Sequence, residues 1–319
     1  MKILGISAGR NMGNTEILVK EALMGAEEMG ASVEFIRLHD FDLKPCTGCN
    51  ACVVNMFEQG GAGKCVLADD FALIDEKILD CDGLILGSPI YEKSPSGLLK
   101  ILGDRMGPSH DVAFRMMAKK IRAAKGITSG TGPDERSFKK RSAALIAVGG
   151  SEWDTLALPM LHLIALTQQI DVVDKQLVNW VGLPGAVLFD EGAMERAHRS
   201  GRQVVKTLLQ PDAEPEYIGE AGLCPICHSK LIEVRNDNDA YPAVCATCGV
   251  RGTLGVTDGK VTFTITDEAR AKSHLLISGK MEHFKELNDV SLKPNPRMAE
   301  LPQLKEKYVH YLTPYKPSR

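Results

Sequence analysis

The chain has 319 residues, of which 44% are hydrophobic and 25% charged, and its formal net charge is −3. This composition is ordinary for a soluble globular protein with one large domain and a smaller one, and the charge argues against a dedicated nucleic-acid binder. No run approaches the roughly 20 apolar residues of a membrane span, and the first residues lack the pattern of a signal peptide, so we expect a cytoplasmic protein without a membrane partner.

Apolar runs alternate with amphipathic segments through residues 1–209. The predicted strands are 2–8, 32–38, 83–88, 143–149 and a β-like stretch around 172–187. The predicted helices are 14–30, 69–80, 95–106, 155–169 and 191–209. Strands that are each followed by a helix require right-handed crossovers and a parallel sheet covered on both faces. The pattern therefore predicts a doubly wound α/β domain with a five-stranded parallel sheet.

Three other regions stand apart from this rhythm. A basic insertion at 105–141, with a predicted helix at 112–125, is either a solvated surface excursion or a lid or interface element that attracts an anion. A linker that starts at Gln210 leads to a small module, 210–266. The polar segment 267–319 is expected to wrap the body or a neighbouring subunit.

The first predicted strand runs into a small, hydroxyl-rich loop that ends where a helix begins. A helix N-terminus offers free backbone N–H groups and the positive end of its dipole to an anion. The candidate ligands in this loop are Ser7, Arg10, Gly13, Asn14 and Thr15. The loop is neither G-x-G-x-x-G nor a Walker A sequence, so a terminal phosphomonoester such as that of FMN fits better than a dinucleotide or an NTP. An ordinary N-capped helix is the alternative.

Two later loops follow predicted strands and belong to the same edge of a parallel sheet. The first contains a rigid Pro-Ile-Tyr turn, and the second has glycines that let a flat ring approach the backbone, followed by an aromatic residue. Their candidate cofactor-binding residues are Ser88, Pro89, Ile90, Tyr91, Ser94, Gly149, Gly150 and Trp153.

Nine cysteines form two groups of four, with Cys81 alone as a small buried hydrophobe. The first group is Cys46, Cys49, Cys52 and Cys65. Its C-x2-C-x2-C spacing is of the ferredoxin type, which leaves an iron–sulfur cluster, unmetallated or redox-active thiols, or zinc as alternatives.

The second group is Cys224, Cys227, Cys245 and Cys248. Paired C-x2-C knuckles at this separation are typical of a four-thiolate zinc ribbon, and a single rubredoxin-like iron is the alternative. The Asp258-Gly259 pair predicts a hairpin turn between two strands of this module.

Five motifs occur in a defined order: S-x-x-R with G-N-T in the first loop, C-x-G-C-x-x-C from Cys46, D-D at Asp69, G-S-P-I-Y from Gly87 and L-K-x-x-x-D-R from Leu99. Together they resemble the NAD(P)H-dependent FMN reductase superfamily and, within it, the iron–sulfur flavoproteins, over residues 1–209. The resemblance implies a flavodoxin-like fold with FMN at the three loops and a [4Fe–4S] cluster at the first cysteine group. It also implies a homodimer or homotetramer. The twelve residues between Cys52 and Cys65 depart from the family's compact spacing.

We therefore expect an FMN-dependent oxidoreductase that passes reducing equivalents from NAD(P)H or an electron carrier to a quinone, a nitro compound or an enone. The alternatives are a non-enzymatic electron-transfer or regulatory flavoprotein that docks a protein such as a ferredoxin-type donor, and a binding protein that has lost the flavin. No catalytic acid is assigned. Tyr91, Trp153, His110 and His162 are candidates by position only.

Overall fold

The computed structural model describes residues 1–315, without the side chains of 291 and 292. Its first part contains the strands β1 (Lys2–Ser7), β2 (Ser32–Arg37), β3 (Gly83–Tyr91), β4 (Ser94–Pro95), β5 (Arg141–Val148) and β6 (Ile170–Val178). The helices of this part are α1 (Asn14–Glu28), α2 (Ala51–Phe57), α3 (Phe71–Asp80), α4 (Gly97–Arg105), α5 (Val112–Ala124), α6 (Ala157–Thr167) and α7 (Glu191–Leu209).

Five parallel strands form one sheet in the order β2-β1-β3-β5-β6, and β4 pairs antiparallel with the end of β3. Ser7 lies beside Gly87, and Val148 lies beside both Pro89 and Val178, so the carboxyl ends of the strands share one edge. The strand order reverses between β1 and β3, and ligands of such sheets bind outside that switch point. The predicted flavodoxin-like, doubly wound fold is confirmed.

Alternate residues of the buried strands contribute side chains to two apolar layers, one on each face of the sheet, because successive side chains of a strand point to opposite faces. One layer joins the sheet to α3, α4 and α6, and the other joins it to α1 and α7. Helices α1 and α7 approach so closely that a Cβ at Gly201 would lie 1.7 Å from the carbonyl oxygen of Ala22. Only glycine fits there, and this contact packs the middle of α1 directly against α7.

Two predictions about this part need correction. The strand predicted to reach 187 ends at Val178, and residues 179–190 form a carboxyl-edge loop with a short 3₁₀ turn. The basic insertion is only partly solvated: Phe114 and Ala118, on one face of its helix, form an apolar cluster with Met56, while Lys119 and Lys120 are exposed. One of its cations is bound internally: Arg141 is 1% exposed and donates to backbone carbonyls of the body.

The C-terminal part holds a second, antiparallel sheet and a helical tail. The strands β7 (Ile232–Val234), β8 (Ala243–Cys245), β9 (Arg251–Thr257) and β10 (Lys260–Thr264) are ordered β10-β9-β8-β7. Asp258 and Gly259 have φ of 50° and 72°, the conformation of the predicted two-residue hairpin turn.

Helices α8 (Asp267–Ala271), α9 (Ile277–Leu292) and α10 (Leu301–Val309) form the tail, and positions 316–319 lie outside the described residues. Helix α9 docks on the body through Lys280, which is 3% exposed and donates to the carboxylate of Asp111. Across residues 1–315, no helix has both the length and the apolar character needed to cross a membrane.

Candidate functional site

The loop between β1 and α1 presents a helix N-terminus at the carboxyl edge. Gly13 is the N-cap residue, and no side chain of the described residues caps the helix there. The backbone N–H groups of the first turn are therefore free to bind an anion. Ser7 is fully buried, and its hydroxyl accepts the N–H of Gly9 at 3.1 Å, which shapes the loop around this end of α1.

The predicted ligand Asn14 has a different role for its side chain. Its amide nitrogen donates to the carbonyl oxygens of Val181 at 3.0 Å and Leu183 at 2.9 Å. Its side-chain oxygen accepts the N–H of Val187 at 3.2 Å. The side chain thus binds the 179–190 loop, and Asn14 has only its backbone N–H to offer to an anion. The side chain of Thr15 is buried in the same turn, and Arg10 is exposed beside it.

A buried ion pair that the sequence does not reveal supports this loop from below. The Glu16 side chain is fully buried and accepts a hydrogen bond from Arg37 Nε at 2.7 Å. Burial alone would raise the pKa of Glu16, but hydrogen bonds from Arg37 and Lys20 outweigh it and lower the pKa to about 2. Arg37 also donates to the side chain of Asn11 at 2.8 Å, so the end of β2 is tied to the loop.

The second loop is a hairpin at the end of β3. The Ser88 hydroxyl accepts the N–H of Ser96 at 2.9 Å and donates to the Pro89 carbonyl at 2.8 Å, which fixes the turn from inside. Glu92 and Lys93 have φ of 47° and 69°, a left-handed pair that closes the hairpin. Ser94 donates to the carbonyl of Tyr91, and the Tyr91 ring faces solvent.

Gly149 brings the second and third loops together. Its N–H donates to the Val178 carbonyl at 2.8 Å, and a Cβ at this position would lie 3.2 Å from both Ile90 Cδ1 and Asn179 Oδ1. By contrast, the nearest atom to a Cβ at Gly150 would be 3.9 Å away, so space is open beside this residue.

Polar and aromatic groups line the same edge. The Asn179 side-chain oxygen is buried without a hydrogen-bond partner in the described part of the chain, and an unpaired buried acceptor is costly unless a ligand supplies a donor. Trp153 is exposed, with Lys93 Nζ 5.2 Å from its ring centroid, so the second and third loops also meet here.

The loop after β6, residues 179–190, also borders this edge of the sheet, and the sequence analysis did not predict it. Trp180 has a left-handed φ of 64°, and its side chain is 71% exposed. Leu183 and Phe189, in the same loop, are 75% and 90% exposed. The signal was the Trp180-Val-Gly-Leu-Pro-Gly run, whose turn residues mark the end of a strand.

These features fit FMN. An uncapped helix N-terminus suits a phosphate, the open side of Gly150 suits a flat ring, and the unpaired oxygen of Asn179 suits a ring N–H donor. The three loops that the sequence nominated do meet at one edge of the sheet.

The first cysteine group is not brought together. Cys46 and Cys49 are exposed in the loop before α2, Cys52 lies within α2, and Cys65 packs against the apolar core near Arg105. Hydrogen bonds from the Ala51 backbone and the Thr47 side chain lower the pKa of the Cys49 thiol.

The second cysteine group forms a compact centre, and among residues 1–315 it is the one set of three or more such ligands that meets within 4.8 Å. All four thiols are buried. The Sγ atoms of Cys224 and Cys248 are 3.6 Å apart, and those of Cys227 and Cys245 are 3.4 Å apart. Four convergent sulfur ligands suit tetrahedral zinc or iron. Lys175 is buried next to the centre and donates to the carbonyl of Cys227.

The histidines considered as catalysts lie in the interior. His110 is 3% exposed and bridges Ser109 Oγ, at 3.1 Å, and Asp75 Oδ1, at 2.9 Å. His162 is 2% exposed, and burial lowers its pKa well below the usual value. Because substrate cannot reach groups this deeply buried, neither histidine is a candidate acid for a reaction at the sheet edge.

The fold and the site define a flavodoxin-like FMN-dependent oxidoreductase. Residues 1–173 match the model of the NADPH-dependent FMN reductase family, and the chain belongs to that family. It is 32% identical over 303 residues to the flavone synthase cfoJ of Aspergillus candidus, an alignment that covers 90% of this chain and 88% of that protein.

Two further comparisons agree with this family membership. The iron–sulfur flavoprotein MJ1083 of Methanocaldococcus jannaschii is 43% identical over 120 residues, which are 37% of this chain and 58% of that protein. A solved structure described as a flavone reductase covers 100% of both chains, with 32% identity and a TM-score of 0.84. The enzyme class inferred from the sequence motifs is therefore confirmed.

Proposed function

We propose that this enzyme uses FMN to move a hydride between NAD(P)H and the carbon–carbon double bond of a flavone-type aromatic enone, with a proton exchanged with solvent at the second carbon. The observation that carries the proposal is the similarity along the entire chain, ribbon and tail included, to a flavone reductase structure. A second relative matched over 90% of this chain is named a flavone synthase. Forming and reducing a flavone double bond are opposite directions of one two-electron conversion.

We propose that the carboxyl-edge residues hold FMN. Ser7, Arg10, Thr15 and the first-turn N–H groups that follow Gly13 bind the phosphate, while the Gly13 N–H itself donates to the Arg10 carbonyl at 3.0 Å. The ring lies against a larger set of residues: Pro89, Ile90, Tyr91, Ser94, Gly149, Gly150 and Trp153. Ser88, which is fully buried, supports the turn behind them. When bound, FMN supplies the hydride acceptor and donor, and the loops orient the two substrates and exclude water.

For the metals, we propose structural zinc at Cys224, Cys227, Cys245 and Cys248, because a module this small buries too little surface to fold without ligation. A single iron is the alternative. A [4Fe–4S] cluster at the first cysteine group is a second candidate, supported by the ferredoxin-type spacing and by the iron–sulfur flavoproteins among the relatives. It would require the loop from Cys46 to Cys65 to close, and two-electron enone reduction does not depend on it.

We also propose a cytoplasmic homo-oligomer. The uncovered apolar side chains of Trp180, Leu183 and Phe189 border the flavin edge, and clustered apolar exposure of this kind marks an association surface. A homodimer or homotetramer would cover these side chains and shield the flavin. NAD(P)H is the proposed reductant, with a ferredoxin-type protein as the alternative donor.

The test is anaerobic turnover of purified protein reconstituted with FMN. We expect NAD(P)H-dependent consumption of flavone and a product heavier by two hydrogens. Chromatography measures the consumption, and mass spectrometry identifies the product. Menadione serves as the comparison acceptor. Rapid menadione reduction with flavone untouched would overturn the acceptor assignment, and failure to bind FMN would overturn the proposal as a whole.

A further inference from the structure

A cavity of about 330 Å³ lies between the body and the four-cysteine ribbon, on the outer side of β6. Its floor is Leu177, its inner wall is Leu158 and Pro159 at the start of α6, and its far wall is Tyr217, His228 and Leu231. The lining is mostly apolar, and a salt bridge between Lys230 and Glu220, at 2.9 Å, stands at its rim.

The cavity begins where the flavin edge ends. Asn179 and Asp154 both line it, and the Asn179 side-chain amide donates to the Asp154 carboxylate. The side-chain oxygen of Asn179 would lie 3.2 Å from a Cβ on Gly149, so the mouth of the cavity is in contact with the third flavin loop. A molecule that occupies the cavity can therefore extend towards the proposed flavin ring.

The far wall is built by the first metal-binding knuckle. The His228 ring stacks on Tyr217 with centroids 3.8 Å apart and planes 4° from parallel. His228 has a left-handed φ of 55°, and its N–H donates to the carbonyl of Cys224 at 2.9 Å. The Leu231 N–H donates to the Ser229 hydroxyl at 3.2 Å. The turn that carries two of the four thiols thus also fixes the shape of this wall.

A larger cavity, of about 810 Å³, lies elsewhere. It is lined by Lys139, Lys140 and Asp171, at the ends where β5 and β6 begin. Since ligands of such sheets bind at the carboxyl ends of the strands, its size does not make it the acceptor site.

We propose that the 330 Å³ cavity is the acceptor pocket and that the ribbon is its specificity wall. The pocket takes a planar, fused-ring aromatic ketone, whose body lies between the leucines and the stacked Tyr217–His228 pair while its reducible bond points towards the mouth. This inference rests on the proposed function for the identity of the acceptor. It gives the ribbon a direct part in choosing that acceptor, which a purely structural zinc module would not have.

The experiment places a larger side chain in the pocket, at a position of the ribbon. In the FMN-loaded enzyme, Leu231→Trp raises KM for flavone and for menadione by about tenfold or more, with a smaller change in kcat, because bulk in an apolar pocket acts mainly on binding. Val256→Trp, on an exposed face of the same ribbon, leaves both KM values at the wild-type level. FMN affinity and zinc content, measured on each variant, show that both variants are folded.

A second variant, on the opposite wall of the pocket, tests the proposal without altering the ribbon. Leu158→Trp, in α6 of the body, is expected to raise the same KM values. Wild-type KM for both acceptors in Leu231→Trp and Leu158→Trp would overturn the pocket. If the wild-type enzyme reduces menadione but not flavone, the proposed acceptor fails, and a raised KM for menadione in the variants still supports the pocket.

Discussion

The side-chain nitrogen of Asn14 donates a hydrogen bond to the carbonyl oxygen of Leu183 across 2.9 Å. The two residues belong to distant parts of the chain, the first turn of α1 and the loop after β6. With the further bonds to Val181 and Val187, this side chain holds the loop between β1 and α1 and the loop after β6 together as one unit.

We therefore predict that Asn14→Ala destabilises the protein even without FMN. Loss of these hydrogen bonds leaves partly buried backbone groups unpaired and costs about 2 kcal/mol of unfolding free energy. FMN affinity falls as well, because the loop is no longer fixed. Urea denaturation of the apoprotein is the measurement, with Asn288→Ala, at an exposed position of α9, as control. If the apoprotein is unaffected and only FMN binding weakens, Asn14 is a phosphate ligand instead.

The two glycines of the third loop are predicted to respond differently to alanine. Gly149→Ala places a methyl group between Ile90 and Asn179 and destabilises the apoprotein by about 1–3 kcal/mol. Gly150→Ala meets only Gly182 Cα, at an unstrained 3.9 Å, so apoprotein stability is retained while FMN binding weakens. Thermal melting and flavin fluorescence titration separate the two effects. Unchanged FMN affinity in Gly150→Ala would contradict the placement of the ring beside this loop.

The buried Asp69–Arg105 pair, with Oδ2 and Nη1 2.6 Å apart, is predicted to control acid stability. Hydrogen bonds from Arg105 lower the pKa of Asp69 from 3.8 to about 2. The pair's contribution is complete above the unfolded pKa and is lost as pH falls from about 4 through about 2, a change of about 2 kcal/mol.

The measurement is unfolding free energy against pH for the wild type and Asp69→Asn. The variant is less stable at neutral pH because Arg105 is left buried without its partner, and the difference narrows as the solution becomes acidic. Asp70→Asn is the control, since its carboxylate accepts a backbone N–H from Asp42 instead. Curves that stay parallel down to a pH of about 2 would show that the pair does not titrate as stated.

The tail is predicted to depend on Lys280. This buried ammonium group contacts Asp111 Oδ2 at 2.5 Å and the Leu166 carbonyl at 2.7 Å, so Lys280→Met leaves a buried carboxylate unpaired and costs about 3 kcal/mol. Limited proteolysis is expected to cut between the ribbon and α9 in this variant. Lys285→Met, whose exposed ion pair lies on the same helix, serves as control and is expected to show no measurable change. Equal protease resistance in both variants would argue against the anchor.

Metal content provides a further prediction. Cys245→Ser removes one of four convergent thiols, so bound zinc is expected to fall from about one per chain to near zero, with loss of ribbon structure. Cys81→Ser, in the apolar core, leaves zinc unchanged. Elemental analysis answers the question, and iron in place of zinc would identify a rubredoxin-like centre. Full zinc occupancy in Cys245→Ser would exclude the four-thiolate site.

Much of the structure was predicted correctly from local sequence patterns. Apolar periodicity located the sheet and its helices, and the turn pair Asp258-Gly259 located the ribbon hairpin, because periods and turns depend on neighbours in the chain. Two C-x2-C knuckles were enough to predict that Cys224 and Cys248 would meet. The end of β6 was misplaced since the residues after Val178 remain apolar while their backbone leaves the sheet.

The sequence by itself determined the fold, the three loops that meet at the carboxyl edge of the sheet and the ribbon thiols, because each rests on short patterns whose geometry is set within a few residues. The tertiary structure alone decided that the Asn14 side chain binds a distant loop, that Glu16 pairs with Arg37, and that the ribbon lines a cavity beside the carboxyl edge of the sheet. Those relationships join residues far apart in the chain. Long-range packing sets the distances between them, and no local pattern encodes it.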